Sequence, residues 1–392
     1  MSTAVSRDQD RQFVSVEATR QVGSDRVVGL DVARALAVVG MFGAHVGAIA
    51  DDVDSSPSTW PAVAWGRSSI LFAVLAGISI ALLSGRTVPL GGDDLVRARM
   101  RILVRAAWVF LIGGVLDALG TDVDVILGVY AVLFVLAVPF LRWRRRDLLV
   151  AAALLALVTP PALVVLGQFI VHNGASEAPL PVLAVTGFYP ALSWWPFILV
   201  GLAVGRSDLG SRGVRGTLLA AGAGMAALGY GGGWLTTRWW ADGRLSEGPW
   251  DGAERPGEFD LAWLSGATPH SGTTFEIVGS TGVALLVIAV CLIVAEWQPT
   301  VTFPLASVGA VALTVYTGQV VAIWVLGTDE YVDNGLWVAF VLASLIVATT
   351  WRVLFGRGPL ERLLTWSTNR AAWPTARALP SDRPHHPGGA PS

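Results

Sequence analysis

Apolar residues in this chain arrive in long blocks, without the two-residue alternation of strands or the one-sided stripe of soluble helices. A run of about eighteen residues with few charges can cross ~30 Å of hydrocarbon as a helix. Such blocks fall at roughly 30–50, 67–84, 101–119, 122–141, 147–171, 187–205, 215–236, 276–296, 304–326 and 335–355. One or two could be the core helices of a soluble domain, but about ten could not. The pattern predicts an all-α polytopic integral membrane bundle of about ten transmembrane helices.

The connections carry charges of alternating sign. Arginine gathers in the second (Arg86, Arg97, Arg99, Arg101), the fourth (Arg142, Arg144, Arg145, Arg146) and the sixth (Arg206, Arg212, Arg215). It returns in the tail, with Arg357, Arg362, Arg370, Arg377 and Arg383. The first, third and ninth connections are acidic, with Asp51, Asp52 and Asp54, then Asp117, Asp122 and Asp124, then Asp329, Glu330 and Asp333. Arginine-rich loops stay in the cytoplasm, so both termini are expected inside. The eighth connection, 297–303, has no charge and tests nothing. The longest, 237–275, contains Trp239, Trp240, Trp250 and Trp263 and is expected to lie against the outer interface.

Composition agrees. Of 392 residues, 53% are hydrophobic and 14% charged, with a mean hydropathy of +0.59. A soluble domain carries about 25% charged residues. The net charge of −2 gives no bulk argument for nucleic acid. All 27 basic residues are arginine, which reads as base composition rather than function. The single cysteine, Cys291, excludes an internal disulfide and offers no metal cluster. Residues 1–27 lack an apolar core for a signal peptide and are expected to be a disordered cytoplasmic tail. Residues 28–366 form the membrane domain, and 367–392, rich in Pro, Arg and Ala, a second disordered tail.

Ionisable residues inside spans need a partner, a wet cavity or a job. In the first span, Arg34 and His45 are eleven residues apart and so share a helix face, their Cα atoms ~16 Å apart along it. Asp31 lies one turn below Arg34. Snorkelling of an Arg34–Asp31 pair and a hydrogen-bonded neutral His45 are the structural alternatives. Asp117 ends the third span, and Asp124 and Tyr130 open the fourth. Ahead of the eighth, PHSGTTFEIVGS at 269–280 offers His270 and Glu276. The Thr273-to-Glu276 spacing also fits a capping box, which explains Glu276 as well as catalysis does, but not His270. Tyr316 and Gln319 sit one turn apart in the ninth span, as interhelical glue or as site residues. Near the inner end, Arg99, Arg101 and Arg105 form a basic group, and Arg105 lies deep enough to hold a phosphate.

The opening RVVGLDVARALAVVGMFGAHV resembles the first span of transmembrane acyltransferases, especially the YeiB-like bacterial proteins related to heparan-α-glucosaminide N-acetyltransferase. ILGVYAVLF (126–134), GFYPALSWWPFILVGLAVGR (187–206), PHSGTTFEIVGS, VALTVYTGQ (311–319) and FGRGPLE (355–361) are similar to further blocks of that group. The resemblance implies transfer of an acyl group, acetyl first of all, from cytoplasmic acyl-CoA to an extracytoplasmic sugar or similar hydroxyl or amine. The related acyltransferase-three proteins separate an Arg and a His by ten residues in the first span, and Arg34 and His45 match that spacing. In the heparan enzyme the catalytic histidine lies between the first two spans. The corresponding SSPSTWPAVAWGR has none, which leaves His45 or His270 for that work.

The expected enzyme is therefore a multi-pass cell-membrane acyltransferase using acetyl-CoA or another acyl-CoA and no metal. His45, His270 and Glu276 are the catalytic candidates. Arg34, Arg99, Arg101 and Arg105 would hold the donor, and Asp117, Asp124, Tyr130, Tyr316 and Gln319 the acceptor. A proton-coupled small-solute transporter or exporter is the rival reading, followed by a catalytically inactive relative. The sequence leaves homodimer formation open.

Overall fold

The computed structural model describes residues 26–48, 62–243, 248, 257–328 and 333–371. The N-terminal tail before Arg26, Asp51, Asp52, Asp54, Trp250, Asp329, Glu330 and the tail beyond Ala371 lie outside the described residues. The described chain is all helical, with no strand among its described residues. The main helices are α1 (Val28–Val46), α2 (Arg67–Leu83), α3 (Gly92–Asp117), α4 (Leu127–Ala137), α5 (Arg145–His172), α6 (Ala191–Gly205), α7 (Arg212–Trp240), α8 (Thr274–Trp297), α9 (Pro299–Ala310), α10 (Ala312–Leu326), α11 (Asn334–Phe355) and α12 (Pro359–Ala371).

Nine of the ten apolar blocks each fall mainly on one of these helices, and the ninth falls on two. Among the described residues α1, α5, α8 and α11 are long and apolar enough to cross a membrane, and counting each of two bent pairs as one span raises the number to six. Helix α11 shows what solvent it needs. Only Ala348 is buried, while Leu342, Ile346, Val347, Val353 and Leu354 are exposed. An apolar helix bare on so much of its surface is at rest in lipid, where its backbone groups are satisfied internally.

Two boundaries differ from the expected ones. The ninth block, 304–326, is not one helix. Helix α9 already begins at Pro299, inside the expected connection 297–303, and the chain bends by 68° into α10 across Val311. The reason is tertiary, because the carboxylate of Glu361 on α12 accepts hydrogen bonds from the N–H groups of Leu313 and Thr314 and from the Thr314 hydroxyl. That satisfies the first turn of a new helix. The sixth block is shorter at its start. A turn at Pro179–Thr186 meets α6 at 61°, so Gly187–Pro190 connect two helices instead of opening a span. Arg97, Arg99 and Arg101 lie on α3 itself, whose first turns reach back to Gly92. The last helix, α12, ends at Ala371, past the residue-366 boundary.

Helix α1 is central and packs on α2, α8, α9, α10 and α11. Close crossings use glycine, as in membrane bundles generally. A Cβ on Gly77 of α2 would lie 2.2 Å from the Ile198 carbonyl oxygen of α6. Helices α7 and α8 meet along Gly222, Gly229, Gly279 and Gly282. Arg206 pins one end of the bundle, donating to the carbonyls of Ser84, Arg86 and Leu141.

Candidate functional site

Three adjoining cavities run along α1 and α4. The first, of about 420 Å³, opens at the end where α1 begins. Arg26, Arg34, Arg105 and Arg357 line it together with Ser79, Tyr130, Tyr316 and Glu361, and its remaining wall is apolar, with Phe72, Leu75, Val109 and Phe134. Asp31 stands behind two of these arginines. Fully buried, it accepts from Arg34 at 2.5 Å and from Arg26 at 2.5 and 3.3 Å, and Arg34 also donates to the Ser79 hydroxyl at 3.0 Å. Asp31 therefore holds both guanidinium groups in place at the cavity. The buried Nε of Arg105 has no hydrogen-bond partner among the described residues. Four guanidinium groups line the cavity with one carboxylate, itself engaged by the α10 backbone, a charge balance that can hold an anion.

The second cavity, about 130 Å³, holds both histidines. His45 from α1 and His270 from the loop before α8 line it with Met41, Trp65, Asp122 and Asp124. Met41 lines the first cavity as well, so the arginine and histidine cavities meet at this one side chain. His45 Nδ1 lies 3.0 Å from Gln319 Oε1, and its ring meets Tyr316 edge-on at 6.0 Å. With the Gln319 amide oxygen turned towards it, Nδ1 would be the donor and Nε2 would keep a lone pair. This is the tautomer of a base.

His270 stands among rings, with Phe188 at 4.4 Å, Tyr189 at 5.3 Å, Trp65 at 6.1 Å and Trp194 at 6.5 Å between centroids. Its Nδ1 has no hydrogen-bond partner among the described residues, and burial pushes the imidazole down to about 4. Its φ of 65° is left-handed. Glu276 holds that strained turn. Its Oε1 accepts from the backbone N–H of His270 and its Oε2 from that of Gly272, both at 2.6 Å, while Thr273 caps α8 by accepting from the Glu276 N–H. Glu276 thus touches the backbone around His270 and lines none of these three cavities.

The third cavity, about 320 Å³, lies between α3, α4 and the segment 179–189. Asp117 and Asp124 line it, and it shares Asp124, Phe188 and Tyr189 with the histidine cavity.

Of the residues singled out by sequence, the structure brings together Arg34, Arg105, Tyr130 and Tyr316 in the first cavity. His45, His270 and Asp124 share the second, with Gln319 hydrogen-bonded to His45, and Asp117 lines the third. Tyr130 spends its hydroxyl on the Ser69 carbonyl at 2.8 Å. Arg99 and Arg101 line none of the three. Sequence reasoning missed Arg26 and Glu361 altogether and counted Arg357 only for topology. FGRGPLE was the available signal for the last two.

The fold and cavities define a membrane-embedded helix bundle with a cationic cavity joined to a histidine pair, the outline of a transmembrane group-transfer protein. The catalytic domain of heparan-alpha-glucosaminide N-acetyltransferase matches residues 26–228, just over half of the chain, and the protein belongs to that family. The match takes in Arg34, His45, Arg105 and Asp124, whereas His270, Gln319 and Glu361 lie beyond it. No curated protein matches the sequence. Ala64, Trp65 and Gly66, which end the stretch corresponding to the heparan enzyme's histidine loop, line the histidine cavity. A Cβ on Gly66 would stand 3.3 Å from His270 Nε2. His270 thus reaches, from another loop, the place where that stretch ends.

Proposed function

We propose that this protein is a cell-membrane acyltransferase that takes an acyl group from cytoplasmic acyl-CoA and passes it to an acceptor on the other side. The observation that carries the reading is the meeting of the arginine and histidine cavities at Met41 on α1. The arginine alternation along the sequence supports a cytoplasmic arginine cavity, on the side where CoA is available.

In this reading Arg26, Arg34, Arg105 and Arg357 bind the CoA phosphates, and the pantetheine arm passes Met41 towards His45. Methionine, unbranched and adaptable, suits such a passage. His45 Nε2 takes the proton of the acceptor hydroxyl or amine as that atom bonds to the thioester carbonyl carbon. The C–S bond breaks, and the imidazolium returns the proton to the CoA thiolate. Gln319 holds the His45 tautomer. Glu276 acts through the His270 turn and is a positioning residue, while His270 contacts the acceptor.

Purified protein in detergent tests this. Acetyl-CoA and CoA should raise the thermal midpoint, and acetyl-CoA should be hydrolysed or used for transfer. His45→Ala should lower that rate by about 10²–10⁴, the usual worth of a positioned base. Full activity in His45→Ala would remove the assigned role. Stabilisation by a small solute and not by CoA would favour a carrier instead.

A further inference from the structure

We infer that the acceptor is a membrane lipid with an uncharged, hydroxyl-rich headgroup, admitted sideways from the outer leaflet through the third cavity. The inference rests on the acyltransferase reading and names its acceptor class.

The cavity has the shape and polarity of such a lipid. Its α3 wall runs from Asp117, at the helix end, to Phe110, two turns deeper. Seven residues of helix span ~10 Å, so one wall passes from headgroup level well into the hydrocarbon. The polar end is carboxylate, with Asp117 and Asp124. The deep end is apolar and open to the surroundings, since Phe110 is half exposed and lies on the same side of α3 as the exposed Gly114. A soluble acceptor would gain nothing from a mouth at that depth, whereas an acyl chain is at home there.

Gly114 of α3 and Gly128 of α4 line the groove and leave it open, whereas Gly113, whose Cβ would stand 3.0 Å from that of Leu127, serves the α3–α4 crossing. A Cβ on Gly114 would meet nothing within 4 Å, and one on Gly128 only Leu183 at 3.5 Å. The groove therefore exists because side chains are missing, not because a helix crossing demands glycine at Gly114.

Charge selects the headgroup. Two carboxylates at the polar end repel a phosphodiester, which excludes the common anionic phospholipids. They accept hydrogen bonds from hydroxyl groups, and the Phe188 and Tyr189 rings beside them suit the apolar face of a sugar. Asp124, Phe188 and Tyr189 also line the histidine cavity, so a headgroup seated here has a hydroxyl beside His270. The hydroxyl oxygen then bonds to the acyl carbonyl carbon, the C–S bond breaks, and the hydroxyl proton ends on the CoA sulfur through His45. The products are an esterified glycolipid and free CoA.

The test uses the full chain in phosphatidylcholine vesicles with radiolabelled acetyl-CoA. One set contains monoglucosyl diacylglycerol, and the other has free glucose and glucosamine in the lumen and outside. The inference expects label in the glycolipid, at least tenfold less of it with Gly114→Leu, and no label in the soluble sugars. CoA should still raise the melting temperature of Gly114→Leu, which reports an intact fold. Label in soluble sugar alone, or glycolipid labelling untouched by Gly114→Leu, overturns the lipid route and leaves the acyltransferase standing. Acetyl-CoA hydrolysis with no labelled lipid also overturns it. Absence of both CoA binding and acetyl-CoA hydrolysis overturns the acyltransferase reading itself.

Discussion

His45 and Gln319, 274 residues apart in sequence, meet through a hydrogen bond of 3.0 Å between Nδ1 and Oε1. With the amide oxygen facing the ring, this bond leaves Nε2 as the basic nitrogen. Gln319→Leu removes the acceptor and leaves a buried N–H without a partner, at a cost of ~1–3 kcal/mol. We expect kcat for acyl transfer to fall by about 10–100-fold with a small change in KM. Gln319→Glu keeps an acceptor at that place and should recover part of kcat. Equal loss in both variants would show that packing, not the tautomer, is at stake.

Glu361 joins the last helix to the break between α9 and α10. Its carboxylate takes two backbone N–H groups and one hydroxyl of the first α10 turn. Glu361→Ala should destabilise the protein by about 1–2 kcal/mol, the range for a lost helix cap. It should also weaken CoA binding, because Leu313 and Arg357 line the cavity alongside it. Thermal melting with and without CoA separates the two effects. Unchanged melting would mean that the bend at Val311 stands without the cap.

What was legible in the sequence was what helix periodicity and apolar length encode. Arg34 and His45 lie on one α1 face because eleven residues make about three turns, and α1 does carry both to adjoining cavities. Of the capping box read at Thr273, the Thr273 half is formed, its hydroxyl accepting from the Glu276 N–H, whereas the Glu276 carboxylate takes the His270 and Gly272 N–H groups and not that of Thr273. The bend at Val311 was not legible, since VGAVALTV is apolar throughout and the group that stops the helix is Glu361 on another element. Arg26 and Arg357, from opposite ends of the domain, likewise meet only in the fold. Arg99 and Arg101 were chosen with Arg105 as one basic group, but Arg99 falls on another face of α3, and Arg101, one turn before Arg105 on nearly the same face, does not line the cavity.

Asp31 is the buried charge on which the arginine cavity depends. Asp31→Ala leaves Arg34 without its carboxylate in the interior, and breaking such a pair costs ~3–5 kcal/mol. We expect poor yield or a much lower melting temperature from that variant. Asp31→Asn keeps one acceptor oxygen, turns the other into an NH2 that cannot accept, and should lose less than the alanine variant. A wild-type melting temperature for Asp31→Ala would show that Arg34 finds another partner.

Arg34 and Arg105 should carry the salt dependence of donor binding. A hydrogen bond to a charged group is worth ~1.5–3 kcal/mol. Arg105→Gln should therefore raise the Kd for CoA by about 10–150-fold, with a smaller effect for dephospho-CoA if it holds the ribose phosphate. Arg99→Gln and Arg101→Gln serve as controls, since neither residue lines the cavity. Titration by isothermal calorimetry at two ionic strengths decides it, and equal effects at all three positions would argue for a diffuse basic surface instead.

The last prediction concerns pH. Burial lowers His270 to about 4 from an ordinary value of 6.5. Its folded value lies below its unfolded one, so between those values the unfolded chain binds the extra proton. Stability from this group is therefore complete above pH 6.5 and is lost as pH falls towards 4, by roughly 3 kcal/mol at most. Melting curves in detergent from pH 7.5 to about 4.5 should show a steeper fall for the wild type than for His270→Asn, which cannot titrate. Parallel curves would mean that His270 takes up its proton in the folded protein, and the neutral imidazole assumed beside the acceptor would have to be given up.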